Sequence, residues 1–223
     1  MRSGLAAAFL VFALGSCVAM ATPSAREGAL RYVALGDSYT IGTSVSAAES
    51  WPSQLAVRVP TLQLVANLGV NGFTSHDLID QELPALIGLR PGFVTVMIGV
   101  NDVVQGVPEA GYQANAQQIL DAVLASLAAD RVLCVATPDY TVTPQGAAFG
   151  SADRQRAGIV RVNALLGEAC TARGVRFVPE IFAISEAAAT DRSLVAADGL
   201  HPSGAQYKRW VDAIQPVVET LLP

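Results

Sequence analysis

The sequence predicts an α/β fold of three layers, a parallel five-stranded sheet between two layers of helices, and three observations carry that prediction. Apolar runs of strand length recur at 31–36, 62–68, 93–98, 131–136 and 175–178, each bounded by Gly, Pro, Asn or Thr. Continuous runs of this kind suit strands buried on both faces. Helical patterns alternate with them, and no linker, repeat or low-complexity stretch follows residue 30, so the elements form one βαβ series.

The N-terminus precedes that series. Residues 2–21 carry one charge, Arg2, then an apolar stretch from Leu5 to Leu14, a break at Gly15 and Ala19-Met20-Ala21. This is the pattern of a secretory signal with small residues at the cleavage positions, and its apolar part is too short for a helix that stays in a bilayer. Removal after Ala21 is expected, with 22–30 a short N-terminal segment and 31–223 one domain. Leu14-Gly15-Ser16-Cys17 also resembles a lipobox. On that reading Cys17 becomes the lipidated first residue, and the protein touches a membrane only in that case. Both readings make an exported protein, periplasmic, secreted or anchored in the envelope. With 223 residues, 52% of them hydrophobic, the chain suffices for one sizeable core and not for two domains.

The first strand run, Tyr32-Val33-Ala34-Leu35, leads into Gly36-Asp37-Ser38-Tyr39. A short helix opens at Ser50 with Pro52 in its first turn, where a missing N–H costs nothing. The second strand leads into Asn67 to Gly72 and the third into Gly99-Val100-Asn101-Asp102. Tyr112, Ala116, Ile119, Leu120, Val123, Leu124 and Leu127 then form an apolar stripe on a 3.6-residue period. Ile159, Val162, Leu166 and Ala169 form a second stripe, and Tyr207, Val211, Ile214, Val218 and Leu221 a third. Pro216 should kink or break that last helix, because it cannot donate to the carbonyl of Asp212. Cys134 falls in the fourth strand and Cys170 on a helix. Export permits a disulfide between them and burial equally suits two free thiols; neither has a Cys-x-x-Cys partner or a neighbouring histidine, which argues against metal and redox sites.

In an open parallel sheet, ligands bind beyond the carboxyl ends of the strands. Ser38, the Asn67 to Gly72 segment, Asn101 and the segment Asp198-Gly199-Leu200-His201 all fall at that edge, and they supply different parts of one chemistry. Ester cleavage needs a nucleophile, a base, an orienting acid and donors aimed at the oxyanion. Ser38 can attack. His201, one of only two histidines, can act first as base and then as acid, with Asp198 three residues earlier to hold one ring nitrogen. Gly72 can offer an unobstructed N–H and Asn101 a side-chain amide. His76 is read as part of a helix N-terminal turn or as a substrate contact. Asp37 and Asp102 are read as hydrogen-bond partners of their loops, since two histidines and no His-Glu-x-x-His leave no metal site to expect.

With these residues in hand, the chain resembles an SGNH hydrolase, the GDSL-type esterase and lipase family. Gly36-Asp37-Ser38-Tyr39 resembles the first family block, with tyrosine where the founding motif has leucine. Asn67-Leu68-Gly69-Val70-Asn71-Gly72 resembles the second, Gly99-Val100-Asn101-Asp102 the third and Asp198-Gly199-Leu200-His201 the fifth. The resemblance implies Ser38 as nucleophile, an Asp198–His201 dyad, and oxyanion donors from the backbone of Ser38 and Gly72 and the side chain of Asn101. It also implies no cofactor and a flavodoxin-like sheet of order 2-1-3-4-5.

Other classes fit poorly. A net charge of −5 and a single lysine, Lys208, leave no basic surface for nucleic acid and no Walker loop. The Gly-x-Ser-x-Gly elbow of the other large serine-esterase fold is absent. The loops Val103–Tyr112 and Thr137–Gly150 are expected to rim the pocket with Val103, Val104, Val107, Tyr140 and Phe149, and Trp51 either lines its entrance or packs on the sheet. The expected function is an exported serine esterase acting on carboxylic esters or thioesters of short to medium acyl chains, as lipid, glycan or small-molecule esters. The alternatives are a polysaccharide O-acetylesterase or acyltransferase, and a non-catalytic lipid- or carbohydrate-binding module on the same scaffold.

Overall fold

A computed structural model describes residues 28–222; the expected signal segment, Cys17, most of the 22–30 segment and Pro223 lie outside them. Strands β1 (Leu30–Gly36), β2 (Leu62–Asn67), β3 (Phe93–Met97), β4 (Val132–Val135) and β5 (Arg176–Val178) agree with the predicted runs to within one residue at each end. All pair in parallel, in the order β2-β1-β3-β4-β5 that the resemblance implies. The chain leaves β1 to build β2 on one side and then crosses to build β3 on the other. The loops that follow β1 and β3 therefore part, opening a crevice at the carboxyl edge.

Helices α1 (Ser38–Ile41), α2 (Trp51–Arg58), α3 (Ser75–Asp77) and α4 (Leu83–Leu89) come from the first half of the chain. Then follow α5 (Val100–Gln105), α6 (Glu109–Leu124), α7 (Ala152–Thr171), α8 (Glu180–Ser185) and α9 (Gly204–Leu221). A π-helical turn, Leu78–Glu82, joins α3 to α4. Alternation along the strands sorts the core into two layers. Tyr32 and Ala34 of β1, Phe93 and Met97 of β3, and Leu133 and Val135 of β4 face α2, α8 and α9. Val33, Leu35, Val94, Val96, Val132 and Cys134 face α4, α6 and α7. Each fully buried side chain of this size contributes about 1.5–3 kcal/mol. Trp51 is one of them: it packs in the first layer and does not line an entrance. The hydroxyls of Tyr32 and Thr95, buried on that same face, satisfy each other at 2.8 Å. Cys134 and Cys170 are buried and free.

Two expectations are corrected. Of the kink or break expected at Pro216, the break does not occur: α9 runs from Gly204 to Leu221 through the proline. Asp212 and Pro216 lie on its exposed side, where water is at hand for a carbonyl the proline cannot serve, while Val211, Ile214 and Val218 hold the helix to the core on both sides of the proline. The 103–112 segment, expected as a loop, is mostly helical, the end of α5 and the start of α6 with Gly106 at φ 72° between them.

Candidate active site

Three strand exits and one loop before α9 build the site. β1 ends on Gly36 at φ 151°, where a Cβ would stand 2.2 Å from the Met97 carbonyl oxygen of β3. Glycine thus lets the turn that carries Ser38 lie against the neighbouring strand. Asp37 then caps α1, its Oδ1 accepting the Tyr39 N–H at 2.9 Å, which sets Ser38 as the first residue of a single helical turn. Beyond β2, Asn67 donates to the Thr40 carbonyl at 2.7 Å and accepts from the Gly69 N–H at 3.2 Å, stitching the second exit to the first. Gly72 sits at φ 81° with nothing within 4 Å of a would-be Cβ, so conformation and not space calls for glycine there. Gln105 anchors the turn by donating to the Gly72 carbonyl at 3.0 Å.

Beyond β3, Asn101 gives one amide hydrogen to the Phe73 carbonyl at 2.9 Å, which fixes the amide plane and leaves the other hydrogen for the cavity. Asp102 accepts from the N–H and hydroxyl of Ser75 at 2.9 and 2.5 Å, tying this exit to α3. Among the described residues, the N–H groups of Ser38 and Gly72 donate to no protein acceptor.

The loop before α9 closes on a bridge between Val195 and Pro202, and the Ala196 N–H donates to the His201 carbonyl at 2.7 Å. Asp198 turns back on it. Oδ1 accepts the N–H groups of Leu200 and His201 at 2.9 and 3.0 Å, and Oδ2 stands 2.6 Å from His201 Nδ1. An ionised carboxylate only accepts, so the ring proton sits on Nδ1 and Nε2 keeps its lone pair. Partial burial opposes the charge on Asp198, but donors from Ser44, Leu200 and His201 outweigh it and hold the carboxyl well below the usual range. The Tyr39 ring lies 5.1 Å from the imidazole and is backed by Trp210 at 6.5 Å.

These pieces line an open cavity of about 160 Å³. Ser38, Asn71, Gly72, Asn101 and His201 form its polar part, and Tyr39, Val100, Val104, Tyr140, Phe149 and Leu200 the rest. Four of the five residues singled out from sequence thus meet on one wall, with Asp198 behind His201. Ser38 Oγ and His201 Nε2 make no hydrogen bond within the chain, as is common before substrate tightens a site. His76 lies on α3 beside Asp80, its side chain 71% exposed, and does not reach the cavity. Of the apolar residues expected at the rim, Val104, Tyr140 and Phe149 line the cavity and Val103 and Val107 do not. Sequence reasoning missed Asn71 and Leu200, both inside recognised blocks, and Ser44, whose hydroxyl donates to Asp198 Oδ2 at 2.6 Å. Among the described residues, no three His, Cys, Asp or Glu side chains gather to hold a metal ion.

A fourth missed residue lies beneath the turn that carries Ser38. Glu82, on the π-helical turn and 3% exposed, accepts the Gly36 N–H at 2.9 Å through Oε2, while Oε1 and Asp37 Oδ2 are buried without a partner. Burial, opposed by the Gly36 N–H and reinforced by the charge of Asp37, pushes the Glu82 carboxyl up to about 9. Burial likewise raises Asp37 to about 7. A carboxyl raised in the folded state gives stability that is complete below its unfolded value and is lost as pH climbs to the folded one. Wild-type stability is therefore expected to decline between pH 5 and 9, and Glu82→Gln, a neutral isostere, to flatten that decline by on the order of a few kcal/mol at the alkaline end. Urea midpoints across this range measure it; parallel curves for the two proteins would show that Glu82 carries no extra proton.

With this geometry described, the comparisons with known proteins can be set beside it. Residues 34–209 match the model of the GDSL-like lipase/acylhydrolase family. Thioesterase 1/protease 1/lysophospholipase L1 of Escherichia coli strain K12 is 31% identical over 105 residues, 47% of this chain and 50% of that protein. The chain thus spans half the length of the relatives it matches in sequence. Among solved structures, TesA superposes with a TM-score of 0.67 at 22% identity, over 86% of this chain and 99% of its own. A variant of Axe2, an acetyl xylan esterase from Geobacillus stearothermophilus, gives 0.66 at 18% identity over 86% and 95%. At these identities the structures speak for the fold, and the match over 34–209 speaks for descent. The chain belongs to the GDSL-like lipase/acylhydrolase family.

Proposed function

We propose that this protein is an exported serine esterase that cleaves carboxylic or thioesters of short acyl chains through a covalent acyl-enzyme. The observation that carries the reading is the convergence of Ser38, Gly72, Asn101 and His201 on one small cavity, with Asp198 bonded to His201 Nδ1 at 2.6 Å. In this mechanism Ser38 Oγ attacks the acyl carbonyl while His201 Nε2 takes its proton. The carbonyl oxygen gathers negative charge and receives hydrogen bonds from the Ser38 and Gly72 N–H groups and the free hydrogen of Asn101. His201 next protonates the leaving alcohol or thiol, and water, deprotonated by the same nitrogen, releases the acid. Export rests on the signal-like sequence of residues 2–21.

The cavity supports a small acyl group. An enclosed apolar cavity of about 150 Å³ accommodates benzene, so about 160 Å³, here open on one side, offers room for roughly six heavy atoms of an acyl group before the chain meets solvent. Val100, Val104, Phe149 and Leu200 would give that group its apolar walls. Turnover of 4-nitrophenyl esters is expected to peak between acetate and hexanoate and to fall from about octanoate onward. A rate that keeps rising to palmitate would refute the size argument. The same small volume suits a second reading, a polysaccharide O-acetylesterase or acyltransferase, which release of acetate from acetylated glycans, with none from nitrophenyl butyrate, would favour. A purely lipid- or glycan-binding module has no use for an imidazole held in the one tautomer that accepts a proton.

A further inference from the structure

The loop that leaves the nucleophile helix contains a residue whose conformation and contacts the three-residue dyad-and-serine scheme leaves unexplained. Ser44 has φ 67°, and among the described residues only Arg90 shares a positive φ without being glycine. Glycine adopts that conformation at lower cost than serine. The serine hydroxyl, however, makes a contact that glycine cannot make: Oγ donates to Asp198 Oδ2 at 2.6 Å, across 154 residues of chain. That oxygen is the one facing His201 Nδ1. One lone pair of Oδ2 thus serves the imidazole and the other Ser44, while Oδ1 is occupied by the N–H groups of Leu200 and His201.

The loop also ties Ser44 to the nucleophile. The N–H groups of Gly42 and Thr43 both donate to the Ser38 carbonyl at 3.1 Å, and Thr43 Oγ1 donates to Asn71 Oδ1 at 2.5 Å on the cavity wall. Consecutive residues of one loop therefore grip the nucleophile's own carbonyl, the turn that carries Gly72, and the acid of the dyad. The Asp198 side chain is 29% exposed. Without a fixed partner, the outer lone pair of Oδ2 would be solvated by exchanging water, and the carboxylate would share its hydrogen bonding with His201 among several arrangements.

Resting on the serine-esterase reading above, we infer that Ser44 is a positioning residue, which locks the Asp198 carboxylate in register with His201 and couples that register to the Ser38 turn. Ser44 does not line the cavity, so its contribution falls on the chemical step and not on substrate binding.

The test measures kcat, KM and thermal midpoint with 4-nitrophenyl acetate for wild type, Ser44→Ala, Ser44→Gly and Ser38→Ala. Ser44→Ala removes the hydroxyl and keeps the strained backbone; Ser44→Gly removes the hydroxyl and relieves the strain. Both are expected to lower kcat about tenfold, the scale of a hydrogen bond to a charged group, with KM within about twofold of wild type. Ser44→Gly is expected to melt above Ser44→Ala, since both lose the same hydrogen bond and only glycine relieves the positive φ. A role confined to loop conformation predicts the opposite, a Ser44→Gly protein with full kcat, and that result beside an inactive Ser38→Ala protein overturns this proposal alone. A Ser38→Ala protein that turns over like wild type overturns the esterase reading and this proposal with it.

Discussion

Ser38→Ala is expected to lower kcat/KM for 4-nitrophenyl butyrate by at least about 10⁴-fold while leaving the fold intact. The magnitude follows from what is lost. On the proposed mechanism no acyl-enzyme forms without Oγ, and the variant would have to activate water directly with His201 and the oxyanion donors, which in serine hydrolases sustain only a small residual rate. The structural cost is slight, because the Ser38 hydroxyl makes no hydrogen bond within the chain and the residue is already 7% exposed at the cavity wall. Removing one unpaired hydroxyl at such a site changes stability by about 1 kcal/mol or less. The α1 cap belongs to Asp37 and survives. Activity and melting temperature should therefore separate cleanly in this variant. Equal turnover by wild type and Ser38→Ala would remove Ser38 as nucleophile; an inactive wild type across the whole ester panel would count against the esterase reading itself.

The division between what sequence revealed and what it hid follows the range of the interactions. Strands buried on both faces announce themselves as unbroken apolar runs, and Tyr32-Val33-Ala34-Leu35 is a local pattern that needs no partner to be recognised. The site was legible for a similar reason: turns at strand ends fall at one edge once the sheet is parallel, which places Ser38, Gly72 and Asn101 near one another, while His201, in the loop before α9, was joined to them by its chemistry and by the family resemblance. The sheet order itself came only through the family resemblance. What stayed hidden depends on side chains meeting across long stretches of chain. Glu82 reaches Gly36 from 46 residues away and Ser44 reaches Asp198 from 154, and neither spacing leaves a periodic trace. Pro216 was expected to kink or break α9, and the absence of a break has a related reason. The proline's cost depends on whether the Asp212 carbonyl faces protein or water, which a local rule about helices does not contain.

Asp198→Asn is expected to reduce kcat by about 10³-fold or more, and Asp198→Ala by less, an order that runs against the usual view of asparagine as the milder change. The reason lies in the 2.6 Å contact between Asp198 Oδ2 and His201 Nδ1. Ser44 and the two backbone N–H groups demand acceptors from this side chain, but asparagine has one oxygen to offer where aspartate has two. Its oxygen is best used on the backbone N–H groups now bound to Oδ1, which turns the NH₂ towards the imidazole. A donor facing Nδ1 selects the tautomer with the proton on Nε2, and that ring can no longer accept the proton of Ser38. Alanine leaves the ring free to carry its proton on either nitrogen, with water entering where the carboxylate stood, so a fraction of molecules keeps the reactive form. Stability supplies an independent check. A carboxyl held below its unfolded value stabilises the fold above that value, and the contribution is lost as pH falls through the folded one. Asp198→Asn should accordingly be less stable than wild type at pH 7, with the gap narrowing below about pH 4 as the wild-type advantage titrates away. Equal kcat for the asparagine and alanine variants would mean that Asp198 acts through its charge alone and not by selecting the tautomer; a variant as fast as wild type would remove it from the mechanism.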